Sequence, residues 1–135
     1  MSEHIARAVD WEQCQQVLNS FGGFHDCFIL DVRISLQEQR LMLWLDDLYS
    51  ALDERPRREP VPGILCFTGI EKLVSHLAFV GGQVRLDGLE LREKGAWLEF
   101  ELGVTMTEWI PGPDFAGVGM KVSCREFSVE RLADE

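Results

Sequence analysis

The first regular pattern along the chain has the period of a helix. The apolar residues that recur at the spacing of one helix face are Trp11, Cys14, Val17, Leu18 and Phe21. Asp10 is placed to cap the free N–H groups, and Gln13 follows three residues later, as a capping box requires. Gly22 and Gly23 come next, and glycine readily adopts the left-handed conformation that ends a helix. The pattern predicts a helix over residues 10–21.

Residues 24–36 change to a period of two. The apolar residues on even positions are Phe24, Phe28, Leu30, Val32, Ile34 and Leu36. This alternation is typical of a strand with one buried face, so we expect the even positions to be buried. Asp26 interrupts the row, where a charged group would face the core. A polar turn at 37–40 leads to a second strand at 41–45, and the two strands predict a hairpin.

The middle of the chain is less regular. Residues 46–63 hold several prolines and mixed charges, which predict a surface loop. Residues 64–67 predict a third strand. Residues 70–80 fit either a helical face or a sheet, and we slightly favour a short helix or turn.

The last third of the chain again alternates. Within residues 83–92 the apolar phase changes across Asp87-Gly88, which indicates a bulge or a two-residue hairpin turn. Residues 96–104 predict another strand. Alternation from residue 118 onward predicts a long final strand that bends near Arg125-Glu126.

These elements predict an α+β fold. One N-terminal helix would pack on a mainly antiparallel, curled sheet of about six strands, either as a half-barrel or as two packed layers. A chain of 135 residues is long enough to close its own core, so we expect a single domain over residues 1–135.

Charge narrows the range of partners. Thirteen basic against 23 acidic residues give a formal net charge of -10. The electrostatic field of such a charge repels nucleic acid and anionic membranes and attracts a basic partner. The alternative, which we favour, is that the acidity only keeps the protein soluble. The N-terminus lacks a signal-peptide core, and the longest apolar run, residues 41–45, is far below the roughly 20 residues of a membrane span. We therefore predict a cytoplasmic protein.

Four widely spaced cysteines bear on cofactor chemistry. They are Cys14, Cys27, Cys66 and Cys124. Each lies in an apolar segment, so we interpret them as small buried hydrophobic residues in a reducing compartment. They lack the paired spacing of a structural zinc site, and the sequence predicts neither a metal nor a cofactor.

The sequence gives little support to an enzyme, because P-loop and nucleophile-elbow motifs are absent. His25-Asp26-Cys27 is the one place where a histidine adjoins a cysteine. On a strand, neighbouring side chains point to opposite sides, so Asp26 would not hydrogen-bond His25. Asp26 is either a ligand-binding carboxylate in a cleft or, as we favour, a structural group that accepts backbone N–H bonds. We take His25 and Asp26 as candidate binding residues.

A second candidate surface is the loop over residues 108–117. Trp109 and Phe115 are costly to expose, and the prolines around them pre-order the loop for binding. The structural alternative, which we favour, is that both rings tuck under the loop and cover the end of the sheet.

Three segments carry a resemblance to a known family. They read FHDCFIL at 24–30, ILCFTGI at 64–70 and VSCREFSV at 122–129. This order resembles small bacterial domains that include the Immunity protein 50 family of polymorphic toxin systems. The resemblance covers most of the chain, and His25 and Asp26 match its hallmark positions. It implies a non-enzymatic cytoplasmic protein that binds another protein.

Three hypotheses follow. The first is an interaction module, of immunity type, whose acidic charge speeds association with a basic protein and whose Trp109 and Phe115 are apolar anchors. The second is a small-molecule or metal-binding domain, or an enzyme, with a pocket near His25 and Asp26. The third is a homodimer formed through an exposed sheet edge.

Overall fold

A computed structural model describes residues 2–52, 59–75, 83–92, 95–106 and 119–132. In this part of the chain one α-helix accompanies a single sheet of nine strands. The elements are β1 (Ser2–Ala8), α1 (Trp11–Ser20), β2 (Cys27–Ser35), β3 (Arg40–Leu45), β4 (Gly63–Thr68), β5 (Lys72–Ser75), β6 (Val84–Leu91), β7 (Leu98–Met106), β8 (Met120–Cys124) and β9 (Glu126–Leu132). The α+β class holds coarsely, but the sheet has nine strands rather than six, and β1 precedes the helix.

The sheet closes on itself through two bent strands. Its order is β1-β9-β4-β3-β2-β6-β7-β8-β5, with antiparallel neighbours throughout. The β4–β9 ladder ends with Thr68 opposite Glu126, and the β5–β8 ladder begins with Lys72 opposite Ser123. Between them the N–H of Arg125 donates to the carbonyl of Thr68 at 3.1 Å. Thus β4–β5 and β8–β9 are two bent strands whose ladder continues through the bend.

Aromatic rings fill the space inside the curled sheet. The ring centroids of Phe67 and Phe100 are 5.1 Å apart, and those of Phe100 and Phe127 are also 5.1 Å apart. All three side chains are fully buried. Phe67 lies on β4 and Phe100 on β7, with three strands between them in the sheet order. Their contact therefore requires the sheet to curl around a common core.

The helix begins as the sequence predicts. The Oδ1 atom of Asp10 accepts the N–H of Gln13 at 2.8 Å, which confirms the cap. Trp11 donates its Nε1–H to the carbonyl of Arg92 at 2.9 Å and so ties the first turn to the end of β6. In the described residues, no helix has both the length and the apolar character that a membrane crossing requires.

The prediction that β2 buries its even positions is wrong. The buried residues at its start are the odd ones, Cys27 and Ile29. Leu30, Ile34 and Leu36 have 63%, 48% and 85% of their surface exposed.

A bulge explains this change of face. The pairing of β2 with β3 shifts between Ile29 and Asp31, so the side of the sheet to which each residue points reverses there. Beyond the bulge Val32 opposes the buried Leu43 and packs partly on the core. Ile34 opposes the fully buried Leu41 but is itself half exposed at the margin of the core, and Leu36 lies in the turn after β2.

Two other predictions concern irregular segments. The preference for a helix or turn in residues 70–80 is wrong for Lys72–Ser75, which form β5, while residues 76–80 lie outside the described residues. The phase change at Asp87-Gly88 is a bulge within one strand, since the β6–β7 pairing shifts between Leu86 and Gly88. The predicted bend of the last strand is confirmed at Arg125, which separates β8 from β9.

The aromatic core predicts a large stability difference between two apolar positions. Phe127→Ala should lower the free energy of unfolding by about 3–5 kcal/mol, because it leaves a cavity among packed rings. Leu36→Ala is the control, and it should change that free energy by no more than about 0.5 kcal/mol, since Leu36 is exposed. Urea denaturation followed by circular dichroism measures both. Equal costs for the two variants would contradict the described core.

Candidate functional site

The segment between α1 and β2 has an unusual backbone. Gly22, Gly23, Phe24 and Asp26 have φ angles of 65°, 73°, 58° and 67°. Left-handed conformations are unfavourable for residues with a Cβ, so Phe24 and Asp26 are held there by their surroundings. Phe24 is fully buried and stacks on Phe21, with centroids 4.8 Å apart. Burial of this ring offsets the backbone strain and turns the chain sharply into β2.

His25 and Asp26 project from this turn into solvent. The Nδ1 atom of His25 and the Oδ2 atom of Asp26 are 3.0 Å apart, and both side chains are exposed. The expectation that Asp26 faces the core and cannot reach His25 is therefore wrong. The two residues precede β2, so strand alternation does not apply, and the left-handed φ of Asp26 brings its carboxylate beside the imidazole.

Backbone contacts fix the position of the pair. The N–H of Asp26 donates to the carbonyl of Leu86 at 2.9 Å, and the Ser50 hydroxyl donates to the carbonyl of His25 at 2.9 Å. The β6 bulge lies beside this turn. Its Asp87 accepts hydrogen bonds from Arg85, at 2.9 Å, and from the Thr105 hydroxyl. Two irregular segments thus meet on the surface, each bearing a carboxylate.

The chemistry available to His25 is limited. An ionised carboxylate only accepts, so Nδ1 of His25 donates to Asp26, and this bond orients the imidazole. In a general-base site, a carboxylate orients the imidazole in this way, and the imidazole takes the proton from a substrate or from a nucleophile. The adjacent Cys27 does not complete it, because its thiol is buried and donates to the carbonyl of Phe24 at 3.2 Å. Burial, followed by the charge of Asp46, raises the pKa of Cys27 to about 12.

The other cysteines share this environment. Cys14, Cys66 and Cys124 are buried free thiols, as predicted, and burial is the largest cause that raises the pKa of each to about 12. Thiols of this kind are poor nucleophiles and poor metal ligands. The described residues also contain no cluster of three His, Cys, Asp or Glu side chains that is able to hold a metal ion.

An apolar surface lies on the part of β2 that extends beyond β6. The β2–β6 ladder ends with Ile29 opposite Val84, so among the described residues the rest of β2 pairs with β3 alone. We call the exposed side chains of Ile34 and Leu36, which both follow the bulge, the hairpin surface. Sequence reasoning identified these residues but assigned them to the core. That assignment was based on the alternating apolar pattern, which continues to the polar turn although the last residues in it are exposed.

Two cavities in the described part of the chain are lined by neither His25 nor Asp26, although Gly22 and Gly23 of the same turn line one of them. One, of about 370 Å³, lies where the end of α1 meets β6. The other, of about 320 Å³, lies on the outer side of β5, β8 and β7, and its polar lining residues are Lys72, Arg92, Glu99, Glu101, Lys121 and Ser123. Sequence reasoning missed this second cavity because its residues come from distant segments. Trp109 and Phe115 lie outside the described residues, so their role as anchors stays a prediction.

Comparison with known proteins finds no relative of this chain. No family model, curated protein or solved structure matches the chain. The resemblance to the Immunity protein 50 family therefore stays a prediction that rests on the three segments quoted above.

The backbone at Asp26 predicts an order of stabilities among its variants. Asp26→Gly should be more stable than Asp26→Ala by about 1 kcal/mol, because glycine accepts a φ of 67° without strain. Asp31 is the matched control, since it is exposed on β2 and has ordinary backbone angles. There the order should reverse, with Asp31→Ala the more stable variant. If Ala equals Gly at residue 26 in urea denaturation, the described turn is incorrect.

The buried thiols predict a pH dependence. Their pKa rises on folding from 9.0 to about 12, so the folded state favours the protonated form. The resulting stability is fully present below about pH 9 and is lost as the pH rises towards 12. At pH 8 we expect alkylation by iodoacetamide to be at least about a hundredfold slower in the folded protein than in urea. A thiol alkylated equally fast in both states would contradict its burial.

Proposed function

We propose that this protein is a protein-binding module that contacts its partner through the hairpin surface. The observation that carries the proposal is the exposure of Ile34, near the end of β2, and of Leu36, in the turn that follows β2. Apolar side chains gathered on a surface are typical of interaction sites. The same stretch of β2 offers an open backbone edge among the described residues, which suits the addition of a partner strand.

The charge of the chain selects the kind of partner. With a net charge of -10, the protein attracts a basic protein over long distances and repels acidic ones. Near the hairpin surface, Asp31 and Glu38 are bound to Arg33 and Arg40 at 3.0 and 2.9 Å. The charges next to the hairpin surface are thus largely balanced. The surface itself therefore makes apolar contacts, while the net charge of the whole chain provides the long-range electrostatic attraction.

The features around His25 support a binding role over catalysis. The His25–Asp26 pair lacks a neighbouring activated thiol, and it lines neither described cavity. A non-enzymatic protein agrees with both observations. In its specific form, suggested by the resemblance of the sequence, the proposal is that the module neutralises a toxin in the bacterial cytoplasm. Trp109 and Phe115 remain candidates for further anchors.

Native mass spectrometry tests the proposal. The tagged protein, expressed in its own source cells and gently purified, should carry a stoichiometric protein partner with a basic composition. Ile34→Asp combined with Leu36→Asp should weaken that complex by about a hundredfold, since it places two charges in an apolar contact. Both residues are exposed, so the variant should keep the stability of the wild type.

Val9→Asp is the matched control. Val9 is also an exposed apolar residue, but it follows the edge strand β1, and three strands separate β1 from β2 in the sheet order. The control should retain the partner. If both variants retain it, or if Val9→Asp alone loses it, the contact does not involve the hairpin surface. Recovery of an acidic partner would contradict the electrostatic part of the proposal.

A further inference from the structure

The cavity on the outer side of β5, β8 and β7 has a polar floor. Alternate residues of these strands, such as Phe100, Val122 and Leu102, point into the core. The residues between them therefore point outward. Ser123 is one of these, yet it is only 8% exposed, because longer side chains surround it. Its hydroxyl makes no hydrogen bond to another described residue, so a buried polar group faces the cavity.

Opposite charges stand on either side of this hydroxyl. The strand register places Glu99 on β7 and Lys72 on β5 directly beside Ser123 on β8. Two strand spacings separate Glu99 from Lys72, which is about 10 Å between their backbones. Both side chains are long enough to converge over the smaller serine. Neither forms an ion pair within the described part of the chain.

The other charged residues of the lining are slightly positive in sum. The Oε1 atom of Glu101 lies 3.5 Å from Nε of Arg92 and 3.8 Å from Nζ of Lys121, so two cations share one carboxylate. Val74 adds an apolar patch to the lining. A volume of about 320 Å³ is at the lower end of the range for small-molecule sites.

We propose that this cavity binds a small zwitterion, such as a free amino acid. Lys72 and the Ser123 hydroxyl bind the carboxylate, Glu99 binds the ammonium group, and Val74 contacts the side chain. A zwitterion uses both charges that flank Ser123. Because its net charge is zero, it also avoids the repulsion that a chain of net charge -10 exerts on a simple anion. This site is separate from the hairpin surface and does not depend on it.

Nuclear magnetic resonance titration tests the site. Each of the proteinogenic amino acids is added singly to the ¹⁵N-labelled full chain, with isovalerate and isobutylamine as ligands that lack one of the two charged groups. At least one amino acid should shift the Ser123 amide signal in a saturable way, with a midpoint near 1 mM or below, that is about -4 kcal/mol. Neither singly charged ligand should saturate in this range.

Variants locate the binding. Lys72→Met and Glu99→Gln should each weaken it about tenfold or more, because each removes a charged hydrogen bond. Glu90→Gln is the control, since Glu90 lies on the neighbouring strand β6 and does not line this cavity. It should leave the midpoint unchanged. The proposal is overturned if no amino acid saturates by about 20 mM, if isovalerate alone binds equally well, or if Glu90→Gln has the same effect as Glu99→Gln.

Discussion

The bend where Gly69 passes Arg125 is the point on which the rest of the structure depends. Gly69 has a φ of 67°, and a Cβ placed on it would lie 3.1 Å from the Cβ of Arg125. A residue with a side chain would be strained at this φ, and its Cβ would crowd the side chain of Arg125. Because the strands stay together, the β4–β9 ladder continues into the β5–β8 ladder.

This continuity has consequences at both ends of the molecule. It connects the β4–β9 part of the sheet to the β5–β8 part, so the rings of Phe67, Phe100 and Phe127 meet across the interior. It also places Lys72, Ser123 and Glu99 in one row on the outside. At the opposite side of the barrel-like core, β2 continues past the end of its ladder with β6. The cavity and the hairpin surface are therefore both products of how the sheet closes.

Local patterns predicted local structure well. The helix, its Asp10 cap, the β6 bulge and the bend at Arg125 each depend on a few neighbouring residues, and the sequence shows them directly. The failures concern features that depend on distant segments. No periodicity reveals that β1 pairs with β9, or that Lys72–Ser75 pair with β8. Both pairings join segments that are far apart in the chain.

The burial of β2 shows the same limit within a single strand. Its alternation is real, but a bulge after Ile29 reverses the face, and the core ends before the apolar residues do. The candidate site was predicted in part for a related reason. The sequence identified His25 and Asp26, yet the left-handed backbone of the turn, which brings their side chains together, is not a strand feature. The polar cavity was not predicted, since register alone places its residues side by side.

These observations distinguish a closed core from the end of the β2–β3 hairpin, which presents Ile34 and Leu36 to solvent. This distinction is the basis for the proposed protein-binding role. The strained turn at Phe24 and Asp26 belongs to the core as well as to the surface, because burial of the Phe24 ring holds the turn in place. A partner that used the hairpin surface would leave this turn unaffected.

Hydrogen exchange followed by mass spectrometry tests this claim most directly, on the free protein and on its complex with the partner recovered from source cells. The account predicts that exchange within residues 30–36 slows markedly in the complex, while residues 22–26 and β1 exchange as in the free protein. Slower exchange confined to residues 22–26 or to β1, with no change at residues 30–36, would contradict it.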